Sequence, residues 1–260
     1  MGQPCWISFL LEADVPRLPL SPIQTLAAIV PVYGHHGYIR DCIYSLTSQW
    51  KSLNQIIVIV DGDEAALRIV KECFFDTKSR KPFTIASLNE NKGTYFARNV
   101  GLSLLESDAV SFCDADDMWE PTRSRDILKT FSDHHSIVNT FSCTIDGSGR
   151  KIKKSIHPLG GAYCYSARMI EKLGMFRQWP CSADSDMFYR AKQMGGHVCT
   201  FRSYTYLYRQ HGDQLTQRDE TCFGSDVRDM YESMWHDGTT HHTDKLAEHV
   251  VHVRDGKVLI

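Results

Sequence analysis

The sequence predicts an α/β fold with a mainly parallel central sheet flanked by helices, and three observations carry that prediction. Between Leu26 and Cys113, short apolar runs alternate with segments of helical periodicity. The runs are apolar throughout, as in strands covered on both faces. They also end in groups that suit the carboxyl edge of such a sheet, where ligands bind. These groups are Pro31-Val-Tyr33, Asp61-Gly-Asp63 and Asp114-Ala-Asp116-Asp117.

Leu26–Val30 is the first buried strand, and the helix after it places Ile39, Ile43 and Leu46 on one face. Gln55–Val60 is the second strand, followed by a helix from about Glu64 with Ala66, Val70 and Cys73 aligned. Phe83–Leu88 is a weaker third strand, Thr94–Leu105 a third helix and Ala109–Cys113 a fourth strand. Beyond Asp114 the alternation breaks. A helix over Glu120–Phe131 is favoured by Pro121 near its start. Ser136–Thr144 is β-prone, and Gly147-Ser-Gly149 with Lys151–Lys154 reads as a turn and a solvated basic stretch. Helices follow over Ala167–Leu173 and from Ser185 to Gly195-Gly196, then strands at Val198–Phe201 and Tyr204–Tyr208. The polar, His-rich segment from Asp213 to Ile260 is not assigned a structure.

A chain of 260 residues with 42% apolar and 23% charged residues supports an ordinary packed core. Basic and acidic residues number 29 and 31, so no positive field attracts nucleic acid. The nine cysteines are scattered without a CxxC pair, which reads as buried, reduced thiols rather than a zinc ribbon or disulfide framework. No stretch approaches a membrane span, and the first 20 residues lack the basic start of a signal peptide. The expected location is the cytoplasm, free or at the inner face of a membrane.

Three carboxylates in four positions, Asp114, Asp116 and Asp117, are the most informative cluster. Like charges so close repel unless a cation lies among them, and hard oxygen donors suit Mg2+ or Mn2+. An acidic turn in which Asp117 caps the following helix is the plainer alternative. Neither GxxxxGK[ST] nor GxGxxG occurs, so phosphates are not held in those manners. The pairs His35-His36, His134-His135 and His241-His242 read as surface or loop histidines, because adjacent side chains diverge and no HExxH is present.

Five ordered motifs point further. They are Ala28-Ile-Val-Pro-Val-Tyr33, Tyr38-Ile-x-x-Cys-Ile-x-Ser-Leu46-x-Ser-Gln49, Ile56-Ile-Val-Ile-Val-Asp61-Gly62, Asn91-Lys-Gly93-Thr-x-x-Ala97-Arg98-Asn99-x-Gly101 and Phe112-Cys-Asp-Ala-Asp-Asp117. Together they resemble the family 2 glycosyltransferases of GT-A fold over residues 24–212, leaving extensions at 1–23 and 213–260. The resemblance implies inverting transfer from a nucleotide sugar, commonly UDP-linked, with Mn2+ or Mg2+ as cofactor. A smaller acceptor-side subregion accompanies the nucleotide-binding sheet in such a fold.

The resemblance also implies roles. Pro31 and Tyr33 match positions lining the nucleobase pocket, and Asp61 the carboxylate accepting the uracil N3–H. Asn91 and Arg98 match contacts to base and phosphates, an arginine being suited to phosphate oxygens. Asp116 of the DxD is the expected metal ligand, with Asp114 at the ribose or a metal-bound water and Asp117 able to share either role. Tyr206-Leu-Tyr208-Arg209-Gln-His211 resembles the late Arg-x-His segment, making His211 a second metal ligand or a pyrophosphate donor. The acceptor-side signature is Gly160-Gly161, Gly174-x-Phe176 and Ala183-Asp184-Ser-Asp186-x-x-x-Arg190. Within it Asp184 falls on the general base, Asp186 is the fallback, and Ala183 stands where the family usually has Glu. No QxxRW motif follows, so a single transfer to a saccharide or lipid-linked saccharide is expected rather than processive synthesis. The alternatives are a sugar nucleotidyltransferase, which normally opens with a Gly-rich loop, and a non-catalytic protein that binds a nucleotide sugar.

Overall fold

The computed structural model describes residues 22–49, 52–77, 82–156, 162–212, 214, 217, 219–237, 250–254 and 257–259. The predicted alternation is present. β1 (Leu26–Val32), α1 (Ile39–Thr47), β2 (Leu53–Asp61), α2 (Glu64–Asp76), β3 (Phe83–Leu88), α3 (Thr94–Ser103) and β4 (Ala109–Phe112) follow in order. β1 lies between β2 and β4, and β3 lies outside β2, all in parallel. Their side chains pack outwards in two layers. Ala28, Val30, Ile56 and Val58 meet Ile39, Ile43 and Val70 on one side. On the other, Ile29, Ile57, Ile59 and Phe112 meet Tyr95, Phe96 and Val100. Burial on both faces is why these strands carry no polar alternation.

The second half is mixed. It comprises β5 (Met118–Trp119), α4 (Arg123–Thr130), β6 (Ser136–Ile145), β7 (Lys151–Ser155), β8 (Cys164–Ser166), α5 (Ala167–Leu173), α6 (Ala183–Gln193), β9 (His197–Arg209) and α7 (Asp226–Asp237). β8 joins β4 to β6 antiparallel to both, β9 runs parallel to β6, and β5 closes that side against β9. Two expected strands are thus one, β9, whose pairing with β6 shifts register around Phe141, opposite Arg202-Ser203. The basic stretch Lys151–Lys154 is solvated as expected but forms the edge strand β7. Lysines on an exposed edge discourage pairing with other chains. Part of the unassigned C-terminal segment forms β10 (Val250–Arg254) and β11 (Lys257–Leu259), a hairpin that adds to β3 antiparallel.

Eight cysteines are free among the described residues, in keeping with reduced thiols. None of the described helices is long and apolar enough to cross a membrane.

Gly62, directly after β2, has φ +71, and a Cβ there would lie 2.7 Å from Glu90 Cα and overlap the adjoining backbone of Glu90 and Asn91. The close approach brings the loop after β3 onto the end of β2. Gly62→Ala is therefore expected to destabilise the fold by at least about 2 kcal/mol, from backbone overlap and a left-handed conformation. Denaturant unfolding measures it, and an unchanged midpoint would show that the two loops part without cost.

Candidate active site

The carboxyl ends of β1, β2 and β4 meet, and β5 pairing with β9 brings the end of β9 to the same edge. At the end of β2, Asp61 is buried and accepts the backbone N–H of Lys92 at 2.7 Å and of Gly93 at 2.8 Å. Burial pushes its carboxyl up, and the two N–H bonds work against that rise. Each oxygen keeps a further lone pair for a ligand donor. Asn91 is exposed on the same loop and its Oδ1 accepts Gly93 N–H at 2.9 Å. Pro31 is buried in β1, whereas Tyr33 is 49% exposed just past it, open to stack on a planar ligand.

The turn after β4 aims its three carboxylates in three directions. Asp114 faces α3, where Arg98 Nη2 donates to its Oδ1 at 2.6 Å. Arg98 is 4% exposed and sits over the rings of Tyr95, Phe112 and Phe176 at 5.3–5.7 Å. Burial opposes its charge, but Asp114, Tyr95 and Asp184 hold the guanidinium firmly protonated. Asp116 faces β9 and lies 2.8 Å from His211 Nε2. Asp117 points inwards. It accepts Tyr206 Oη at 2.7 Å and Arg209 N–H at 2.8 Å, while burial and the neighbouring Asp116 and Asp114 push its carboxyl far up. Asp117 is therefore engaged in clasping β9 against the turn, with both oxygens bonded on that side.

Arg209 completes the clasp. Its side chain is fully buried and donates to the main-chain oxygens of Asp116 at 2.7 Å and Gly147 at 2.8 Å, and to Asp41 Oδ2 at 3.0 Å. It also stacks over Tyr38, whose ring lies 4.9 Å from that of His211. Among the described residues, one group can offer ligand atoms to a metal ion: His35, Asp116 and His211, with all three atoms within 4.8 Å of one another. A divalent cation fits such a donor set. His35 is a loop residue, as its sequence context suggests, and the loop after β1 turns it, at φ 50, towards His211.

Asp184 lies in the first turn of α6 and accepts Tyr95 Oη at 2.9 Å. Burial and the nearby Asp184 raise the Tyr95 hydroxyl far above its ordinary range, so it remains a donor. One buried helix, α3, thus contacts both carboxylates: Arg98 holds Asp114 and Tyr95 holds Asp184. It also clamps the loop before α6, because Asn99 Nδ2 donates to Phe176 O and Asn99 Oδ1 accepts Phe176 N–H, both at 2.8 Å. Asp186 is 2% exposed between Arg177 at 3.2 Å and Arg190 at 2.8 Å, with Arg190 reaching on to Leu173 O and Met175 O. Its two partners fasten α6 to the end of α5. Ser182, at φ 63, receives Arg228 Nη1 from α7 at 3.1 Å and donates to Glu232 at 3.3 Å, so α7 braces the start of the helix bearing Asp184. Gly160 and Gly161 lie outside the described residues.

The family model for Glycosyl transferase family 2 matches residues 27–205, more than half of the chain. The chain belongs to that family. An uncharacterized glycosyltransferase of Nostoc sp., alr2836, is 26% identical over 212 residues, covering 72% of this chain and 65% of the relative. The glycosyltransferase GlyA of Streptococcus pneumoniae is 31% identical over 114 residues, 44% of this chain and 16% of its own. The chain thus spans less than two thirds of the length of either relative. Among solved structures, S. aureus TarS 1-349 in complex with UDP-GlcNAc superposes with a TM-score of 0.62 at 18% identity, covering 73% of this chain and 60% of that one. The mannosyltransferase PcManGT of Pyrobaculum calidifontis, in complex with GDP-Man and Mn2+, also gives 0.62 at 15% identity, covering 80% and 64%. These likenesses establish the α/β GT-A fold.

Proposed function

We propose that this protein transfers one sugar, with inversion, from a UDP-linked donor to a saccharide or lipid-linked saccharide acceptor, using a divalent cation, Mn2+ or Mg2+. The observation that carries the reading is the division of the turn after β4. Asp116 meets His211 on one side, and on the other Asp114 meets the helix that also holds Asp184.

In this reading Tyr33 stacks on the base above Pro31, and Asp61 accepts the uracil N3–H while the loop bearing Asn91 closes beside it. Asp114, fixed by Arg98, accepts from the ribose. Asp116 and His211 hold the cation, which when bound neutralises charge on the departing diphosphate. The buried Arg98 adds positive field behind Asp114. Asp184, oriented by Tyr95, takes the acceptor hydroxyl's proton through its other oxygen as that hydroxyl attacks the anomeric carbon. Tyr95 is the residue that motif reading passes over, and its hydroxyl occupies one oxygen of Asp184 and leaves the other to the acceptor.

Nucleotide choice tests the donor half. UDP is expected to bind more tightly than GDP, and Asp61→Ala to weaken UDP binding by about 1.5–3 kcal/mol, the range for a hydrogen bond to a charged group. Calorimetry reads both, and GDP binding as tightly as UDP would remove Asp61 from the base pocket.

A further inference from the structure

We propose that His35 is a third protein ligand beside Asp116 and His211, and that the site so formed takes a first-row transition metal such as Mn2+ or Co2+ ahead of Mg2+, and takes it before the nucleotide. This rests on the reading that Asp116 and His211 hold a divalent cation.

The loop after β1 is built to present His35. Gly34 N–H donates to Asp63 Oδ2 at 2.9 Å, and Tyr38 N–H donates to His35 O at 2.8 Å, so the chain is pinned on both sides of the residue. His36 turns away to Asp63 at 2.9 Å, which leaves only the first of the adjacent pair at the site. His35 holds φ 50, a conformation uncommon for any residue with a side chain. Held there, its ring centroid lies 5.1 Å from that of His211. The Tyr38 ring, backed by Arg209, confines the imidazole of His211 from another side.

The donor chemistry then sets the metal class. Two imidazole nitrogens with one carboxylate oxygen favour first-row transition ions, Co2+ above Mn2+, because these accept nitrogen donors more readily than Mg2+, which is usually held by one or two carboxylates together with substrate phosphates. Three protein ligands already gathered also leave positions for diphosphate oxygens without needing them for retention. A site of one carboxylate and one histidine would depend more heavily on the nucleotide.

The test is calorimetry of the nucleotide-free full chain with MnCl2, CoCl2 and MgCl2, and visible absorption of the Co2+ complex as a second readout of its ligands. The variant is His35→Asn, because asparagine accepts a positive φ readily and shortens the side chain. One Mn2+ or Co2+ per chain is expected without UDP, with Mg2+ weaker by at least about tenfold. His35→Asn is expected to lose at least about tenfold in Mn2+ affinity, a loss that even outer-shell partners of a metal can cause. It should also alter the Co2+ spectrum while thermal unfolding is unchanged, and His36→Asn should bind as the parent does. Mn2+ binding equal in His35→Asn and the parent, or equal affinity for Mg2+, overturns the proposal. Mn2+ binding only with UDP, and lost in Asp116→Ala, overturns it while leaving the two-ligand site standing. No cation bound with or without UDP removes both.

Discussion

Asp184→Asn is expected to keep the parent's affinity for UDP-sugar and Mn2+ and to lose sugar transfer by about 10²–10⁴-fold, the span of a general base. Asn preserves size and can still accept from Tyr95 Oη, but it takes no proton at neutral pH. Asp61, Asp114 and Asp116 lie on other elements and bond to Lys92, Gly93, Arg98 and His211 rather than to Asp184. Asp186→Asn serves as the contrast. Asp186 is enclosed by Arg177 and Arg190, so neutralising it leaves the buried Arg177 and the partly buried Arg190 short of charge and affects folding before chemistry. Initial-rate kinetics alongside thermal unfolding separate the two. A stable Asp186→Asn that loses transfer while Asp184→Asn remains active would move the base to Asp186.

Asp116→Ala is expected to abolish the part of UDP binding that depends on Mn2+ while the protein remains folded. The second half follows from how the turn is held. Arg209 bonds the main-chain oxygen of residue 116, and Asp117 clasps Tyr206 and the Arg209 N–H. Neither support involves the Asp116 side chain. His211→Ala should give a smaller version of the same defect. UDP binding with Mn2+ and with chelator, compared by calorimetry, reads the difference. An undiminished Mn2+ effect in Asp116→Ala would mean that the acidic turn is only a turn.

The first half of the fold is legible because β1 to β4 are buried on both faces and read as unbroken apolar runs, with α1 to α3 between them in register. Legibility fails where an element is too short or too exposed to make a pattern. β5 has two residues and β8 three, and β7 is exposed along nearly its whole length. The charged face of α7 gives little periodic signal, though the helix braces Ser182. The DxD turn and Asp184 are visible as motif residues. Their partners are not, because the contacts join distant chain positions: Tyr95 meets Asp184 across 89 residues and Asp116 meets His211 across 95. His35 sits in a histidine pair that diverging side chains rightly argue against as a paired ligand. The left-handed turn of the loop, which no motif announces, brings one member to within 5.1 Å of His211, ring to ring.

The proposed reaction turns on cation-dependent cleavage of a nucleotide-sugar bond at the Asp116 edge of the sheet. The most direct measurement is nucleotide release from a panel of UDP-, GDP- and dTDP-sugars with Mn2+ and with excess chelator. UDP release is expected from a UDP-sugar with Mn2+, with none in chelator and none from Asp116→Ala under either condition. Release that persists in chelator, or no release from any donor by folded protein with Mn2+, would contradict it.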